Sequence, residues 1–203
     1  MNIDIKSVKQ FGLLLLITWG AFGVLRFFLI QPNYVHYHAD FAVYINDEKQ
    51  EFDSFAFYED VTSCTTKGAD ATPESRVHMH DNVSSIVHVH DELVTWSHFF
   101  SALDWGLTDR NLTTWSETFD EQAGELTFVL NGEVTETLAN KVIDNEDRVL
   151  INFGDTSEQD LQNRYEQIGS QAAKFNAEKD PAACSGEDFD TATRLKNAFL
   201  FTN

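Results

Sequence analysis

Basic residues are scarce in this 203-residue chain: 14 Lys and Arg stand against 33 Asp and Glu, a net charge of −19. Residues 1–31 hold three of the basic residues, Lys6, Lys9 and Arg26, but a single acid, Asp4, so the rest of the chain is more acidic still. A surface of that sign repels nucleic-acid phosphates, which argues against a DNA or RNA partner, and it concentrates cations nearby. Cysteine is equally sparse. Cys64 and Cys184 are the only two, far apart and in no CxxC, which excludes a four-cysteine zinc module and a thioredoxin-like motif. In an oxidising compartment this pair is expected to close one long-range disulfide, contributing on the order of 4 kcal/mol if unstrained. There is no Gly-rich phosphate loop, no Gly-x-Ser-x-Gly and no His-Glu-x-x-His. Familiar nucleotide, serine-hydrolase and zincin chemistries therefore have no coded site. No catalytic residue is assigned, and the reading leans away from an enzyme.

Charge is also missing from one long stretch. Residues 11–30, FGLLLLITWGAFGVLRFFLI, contain only Arg26. Twenty residues at 1.5 Å per residue match a bilayer core, and Arg26 near the far end can snorkel to the headgroups. Lys6 and Lys9 precede the segment, and the next basic residue after Arg26 is Lys49. The positive-inside rule then puts residues 1–10 in the cytoplasm as a short tail and the ectodomain outside the cell membrane, on a single-pass anchor. A cleaved signal peptide is the competing reading, but the run ends in Leu-Ile-Gln-Pro-Asn-Tyr, without a small-x-small cleavage site.

What the chain does have is clustered histidine. Six of its seven histidines fall in three His-x-His pairs: His36/His38, His78/His80 and His88/His90. A β-strand puts residues i and i+2 on one face, so each pair is a two-imidazole chelate if its segment is extended. The surrounding pattern says that it is. In 34–45 the odd positions Val35, Tyr37, Ala39, Phe41, Val43 and Ile45 are apolar, while His36, His38 and Asp40 take the even ones. In 76–91 the odd positions Val77, Met79, Val87 and Val89 are apolar and the even ones are histidine. Asn46-Asp47 is a turn from which Lys49–Phe57 is expected to return as a second strand, and 58–75 reads as a loop holding Cys64. A tight Val83-Ser84-Ser85 turn would place His80 opposite His88 and His78 opposite His90, a square of imidazoles. The histidine face would lie opposite the core, accessible or in a groove closed by the Cys64 loop or the C-terminal helix.

Downstream, Trp96, Phe99, Phe100, Leu103 and Leu107 follow helical spacing, with Thr95 as N-cap and Gly106 as the end. This helix should cover the odd face. His98 falls off its apolar stripe and is read as a solvated residue, not a ligand. Leu126–Leu130 and Val134–Leu138 around Asn131-Gly132 predict a hairpin, and Arg148–Phe153 a further strand. From Ser157, Leu161, Tyr165, Ile168, Ala172 and Phe175 mark the apolar stripe of one polar helix, capped by Asp155 or Thr156. The closing Ala198–Phe201 stretch is too short to span a membrane and is expected to pack on the domain or on a protein partner.

The fold class is therefore α+β: a transmembrane helix over 11–30, an ectodomain over 34–154 of hairpins and one packing helix, and a C-terminal helix with a disulfide-pinned tail over 155–203. The stretch from Thr95-Trp-Ser-His-Phe-Phe-Ser-Ala-Leu through Phe128-Val-Leu-Asn-Gly-Glu to Asp144-Asn-Glu-Asp-Arg-Val-Leu-Ile-Asn-Phe-Gly resembles β-grasp domains of the transcobalamin-C-terminal-like and soluble-ligand-binding kind. That resemblance implies a β-grasp ectodomain, with the insert at 58–91 as a departure. The whole chain also resembles uncharacterised single-pass, His-rich bacterial surface proteins, which supply no function. On the residues, six histidines form a candidate site for copper or zinc, because neutral imidazole is the commonest ligand for both. Asp40, Asp81 and Asp91 are candidates to orient the rings. Membrane-anchored capture or delivery of the metal is the leading function. A non-catalytic interaction module and a His-ligated metalloenzyme are the alternatives.

Overall fold

The computed structural model describes residues 5–30, 35–54, 57–58, 73–79, 83–178 and 191–200. Cys64 and Cys184, and with them the expected disulfide, lie outside the described residues, as do His80 and Asp81. The chain divides into two compact units, Met1–Asn33 with Glu187–Asn203, and Tyr34–Gly186.

The first unit is a helix pair. Helix α1 (Ile5–Leu29) contains a 22-residue stretch, Val8–Leu29, of mean hydropathy 1.9. Among the described residues it is the one helix long and apolar enough to cross a membrane, and its Phe11, Leu14, Leu16, Phe28 and Leu29 side chains are exposed. The C-terminal helix of this unit, Thr191–Leu200, packs on it. The Phe199 ring sits where a Cβ on Gly23 would be, so only glycine permits the approach. Trp19 meets Phe199 edge-on at 5.2 Å, and Arg194 Nε donates to the Phe27 carbonyl at 2.8 Å.

The second unit is a mixed sheet with helices on both faces. Its elements run β1 (Tyr37–Ile45), β2 (Glu48–Lys49), α2 (Pro73–Arg76), β3 (Val77–His78), β4 (Ile86–Val89), α3 (Trp96–Ala102), β5 (Gly106–Leu107), β6 (Leu112–Thr113), β7 (Thr118–Phe119), β8 (Leu126–Leu130), β9 (Glu133–Thr135), β10 (Arg148–Phe153), α4 (Glu158–Glu166) and α5 (Ala172–Ala177), which makes the Thr191–Leu200 helix α6. The main sheet has the order β3-β4-β1-β10-β8-β9. β1 and β10 pair in parallel at its centre, and the other pairings are antiparallel. β2 and β4 share one edge of β1: β4 runs along Tyr37–Asp40 and β2 along Tyr44–Ile45. A three-stranded sheet, β5-β6-β7, had no clear sequence signature.

On β1, β3 and β4 the odd parity is the core, as their alternation predicts, and on β8 the even Phe128 joins it. Ala39, Val43, Val77, Met79, Val87 and Val89 are fully buried and cluster with Trp96, Phe99, Phe100 and Leu103 around α3. Thr95 caps α3 in a reciprocal box with His98: the His98 amide donates to Thr95 Oγ1 and the Thr95 amide to His98 Nδ1. The helix ends earlier than Gly106. Asp104 takes φ 56°, and the Trp105 amide bonds back to the Phe100 carbonyl at 2.9 Å, so a Schellman turn closes the helix without glycine. The Lys49–Phe57 strand is likewise only two residues long. Phe52 and Phe57 turn inward onto each other, with ring centroids 5.0 Å apart, and core packing replaces the ladder.

The opposite face is covered too. Ala42, Tyr44 and Leu150, with Val129 of β8 beside Leu150, pack under Leu161, Tyr165 and Ile168. The single helix expected from Ser157 is two helices: Ser157 caps α4, and the chain breaks before α5. Two buried-face charges hold the break. Arg148 donates to the carbonyls of Ile168 (2.6 Å), Gly169 (3.1 Å) and Tyr165 (3.3 Å) at the end of α4. Asp40 accepts from the amides of Gln171 (3.0 Å) and Ala172 (3.1 Å) at the start of α5.

Candidate metal centre

Five of the six paired histidines are described, and they come together on the even face of three adjacent strands. His38 on β1 stands opposite His88 on β4, and His88 opposite His78 on β3. This corrects the expected register, in which His78 faced His90 and His80 faced His88. The shift is two residues, so each described histidine keeps its face. His36 and His90 extend from the same edge, their rings stacked with centroids 5.6 Å apart. His88 is the middle ring, 4.2 Å from both His38 and His90, 4.6 Å from His36 and 5.4 Å from His78.

Two triads result, His36/His38/His88 and His78/His88/His90, each with its ligand nitrogens within 4.8 Å of one another. A tetrahedral zinc ion at 2.0–2.1 Å from each nitrogen asks for separations of ~3.4 Å, so modest rotation of the rings completes either set. The face is not open. His38, His78 and His88 are 2–3% exposed, while His36 and His90 are half-buried. Nε2 of His36, His78 and His88 and both ring nitrogens of His90 are shielded from solvent. Part of the cover is α5, whose Phe175 ring lies 5.6 Å from that of His38.

Two rings have their tautomer fixed by what they touch. The His38 backbone amide donates to Asn176 Oδ1 at 3.0 Å, so that atom is the amide oxygen; Asn176 Nδ2 in turn donates to Asn145 Oδ1 at 2.8 Å. His38 Nδ1 lies 2.8 Å from the same oxygen and must be the donor. His78 Nδ1 lies 2.6 Å from the Glu74 carbonyl, which can only accept, because α2 curls that carbonyl back over the ring. Both rings therefore carry hydrogen on Nδ1, which leaves Nε2 as the nitrogen either could offer a metal, the arrangement that outer partners impose on metal-ligating histidines.

Neither orienting group is one of the aspartates chosen from the sequence. Asp40 shares the histidine face but acts one step further out: its carboxylate holds the start of α5, and α5 carries Asn176. Burial pushes the Asp40 carboxyl above the ordinary carboxylate range, against the pull of the two amides and of Arg148. Asp91 is exposed, pairs with Arg76 Nε at 2.7 Å and accepts from the Glu92 amide. His98 sits in the α3 cap, exposed, as expected. Asn176 had no signal in the sequence, since it is one polar residue among many on a polar helix. The Glu74 carbonyl had none because backbone carries no residue signature.

Chemically, each triad offers three imidazole nitrogens on a largely buried face and no carboxylate among the described residues. Such a set suits zinc or copper over magnesium or calcium, which take oxygen. No family model, curated protein or solved structure matches this chain.

Proposed function

We propose that this chain is a membrane-anchored, extracytoplasmic protein that captures copper or zinc on its histidine face and hands it on. The observation that carries the reading is the convergence of His36, His38, His78, His88 and His90 into two triads with ring nitrogens within 4.8 Å. Burying three imidazoles, and two more in part, on one face costs free energy that simple surface polarity does not explain. A metal ligand set that is dry, oriented and rigid accounts for it.

The rest of the reading fits around that face. Val8–Leu29 would be the anchor, with Lys6 and Lys9 on the cytoplasmic side. The acidic surface would draw cations toward the site. The central parallel β1/β10 pair, with α3 lying between those strands in sequence, supports a β-grasp scaffold. Scaffold alone does not give function. The metal is cargo in this reading, and no carboxylate joins either triad among the described residues.

Elemental analysis of the purified full chain tests the proposal, alongside the His38→Ala/His88→Ala double variant. Copper or zinc should co-purify with, or bind below micromolar to, the wild type and be lost from the variant. If neither metal binds the wild type, the proposal fails, and a histidine-bearing contact surface for a protein partner becomes the better account.

A further inference from the structure

The two triads are built alike. Each has one buried ring whose Nδ1 hydrogen is committed to a neighbouring oxygen, His38 to Asn176 or His78 to Glu74. Each has one half-buried ring at the edge, His36 or His90. And each uses His88 as its third member. From this we infer that the triads are two alternative seats for a single ion, which passes between them by pivoting on His88. The inference rests on the proposed metal capture and says how the captured ion is held.

The argument is one of lone pairs and charge. A neutral imidazole has one nitrogen with an available lone pair and one that carries hydrogen. His88 can therefore complete one triad at a time. Two ions cannot share that one lone pair, so the seats are filled in turn and not together. Two divalent ions lodged around one ring would also repel strongly in a buried pocket, and among the described residues no carboxylate joins either triad to offset that charge. One ion avoids both costs.

The placement of the rings makes the exchange short. His88 is on the middle strand of β3-β4-β1, with His38 on one side and His78 on the other. An ion that keeps its bond to His88 can exchange His36 and His38 for His78 and His90 one ligand at a time, never leaving nitrogen coordination. No backbone strand has to move. A carrier gains from this arrangement because the ion can be bound firmly overall and still exchange ligands readily.

The test is zinc(II) titration of the full chain in detergent micelles, read by a competing chromophoric chelator, with stoichiometry confirmed by elemental analysis. The wild type should saturate at one zinc per chain. His36→Ala and His78→Ala should each still bind one zinc, weakened only about two-fold, the statistical factor for losing one of two equivalent states. His88→Ala, or His36→Ala with His78→Ala, should weaken binding by at least ~100-fold, beyond what changes outside the ligand set cause. His88→Gln, closer in shape, should do the same while keeping the metal-free thermal unfolding of the wild type, which separates ligand loss from misfolding. Two zinc ions bound together would overturn the pivot and leave metal capture standing. So would complete loss in one single variant with none in the other, which describes one fixed seat. No zinc bound to any form, with copper also absent by elemental analysis, would overturn the capture reading and the pivot with it.

Discussion

Asp40 and Arg148 are register partners across the central parallel strands, and together they hold the polar C-terminal segment open as two helices. Arg148 binds the last carbonyls of α4 and Asp40 the first amides of α5. A sequence pattern that reads as one helix is thus divided by two side chains from strands it packs against, and the division sets Asn176 over His38.

Asp40→Ala should release α5. The Gln171 and Ala172 amides would lose their shared acceptor at a buried position, at a cost of ~1–3 kcal/mol. Hydrogen exchange across Ala172–Ala177 should accelerate relative to β1 and β10. Unchanged protection in that helix would show that Phe175 packing, not the carboxylate, holds it down.

Asn176→Ala removes the acceptor that fixes His38 in its Nδ1–H tautomer. In a His78→Ala background, where the His36/His38/His88 triad must act alone, zinc affinity should drop ~10–100-fold, the usual scale for an orienting partner. In the wild-type background the loss should be small, about two-fold, because the other triad remains. Equal losses in the two backgrounds would contradict independent seats.

Asp147, in the turn before β10, is buried and accepts from Asn131 Nδ2 (2.8 Å) and the Asp144 amide (2.9 Å). Burial nevertheless pushes its carboxyl above the ordinary range, helped by the nearby Asp144 charge. A raised folded-state value means that folding favours the protonated form. That stabilisation is fully present below the unfolded value of ~3.9 and is lost as pH rises through the folded value. Asp147→Asn cannot titrate, so the stability advantage of wild type over variant should grow as pH falls from neutrality toward 4. Chemical denaturation at several pH values measures it; a gap that is constant or narrows on acidification would refute the assignment.

His98→Ala should leave metal binding untouched and weaken the α3 cap by about 1 kcal/mol or less, seen as a slightly lower melting temperature. The residue is exposed in the capping box, apart from both triads. Loss of bound metal in this variant would show that the site extends beyond the described cluster.

The sequence carried the parity of the described histidines. Alternation around His36, His38, His78 and His88 placed all four on the face away from α3, because a period of two is a local property of extended chain. Register was out of reach. A slip of two residues preserves alternation, and only the path of the chain between β3 and β4 decides it. The sequence allowed either an open face or a groove closed by the C-terminal helix; what decides between them is α5 being docked by Asp40 from a strand far away in sequence. The two early endings, at Asp104 and after Lys49, share a cause: the core claimed Trp105, Phe52 and Phe57, and backbone propensity gave way to packing.

The two orienting contacts differ in one respect that matters while the chain is being made. His78 finds its partner four residues away, whereas His38 waits for one 138 residues later. A growing chain that has passed residue 90 already holds every member of the His78/His88/His90 triad and the carbonyl that orients it. The His36/His38/His88 triad gains its orienting amide only when nearly the whole second unit has been synthesised. The residues that set one half of the histidine face are therefore all made by residue 90, while the other half is complete in composition only once Asn176 has been added.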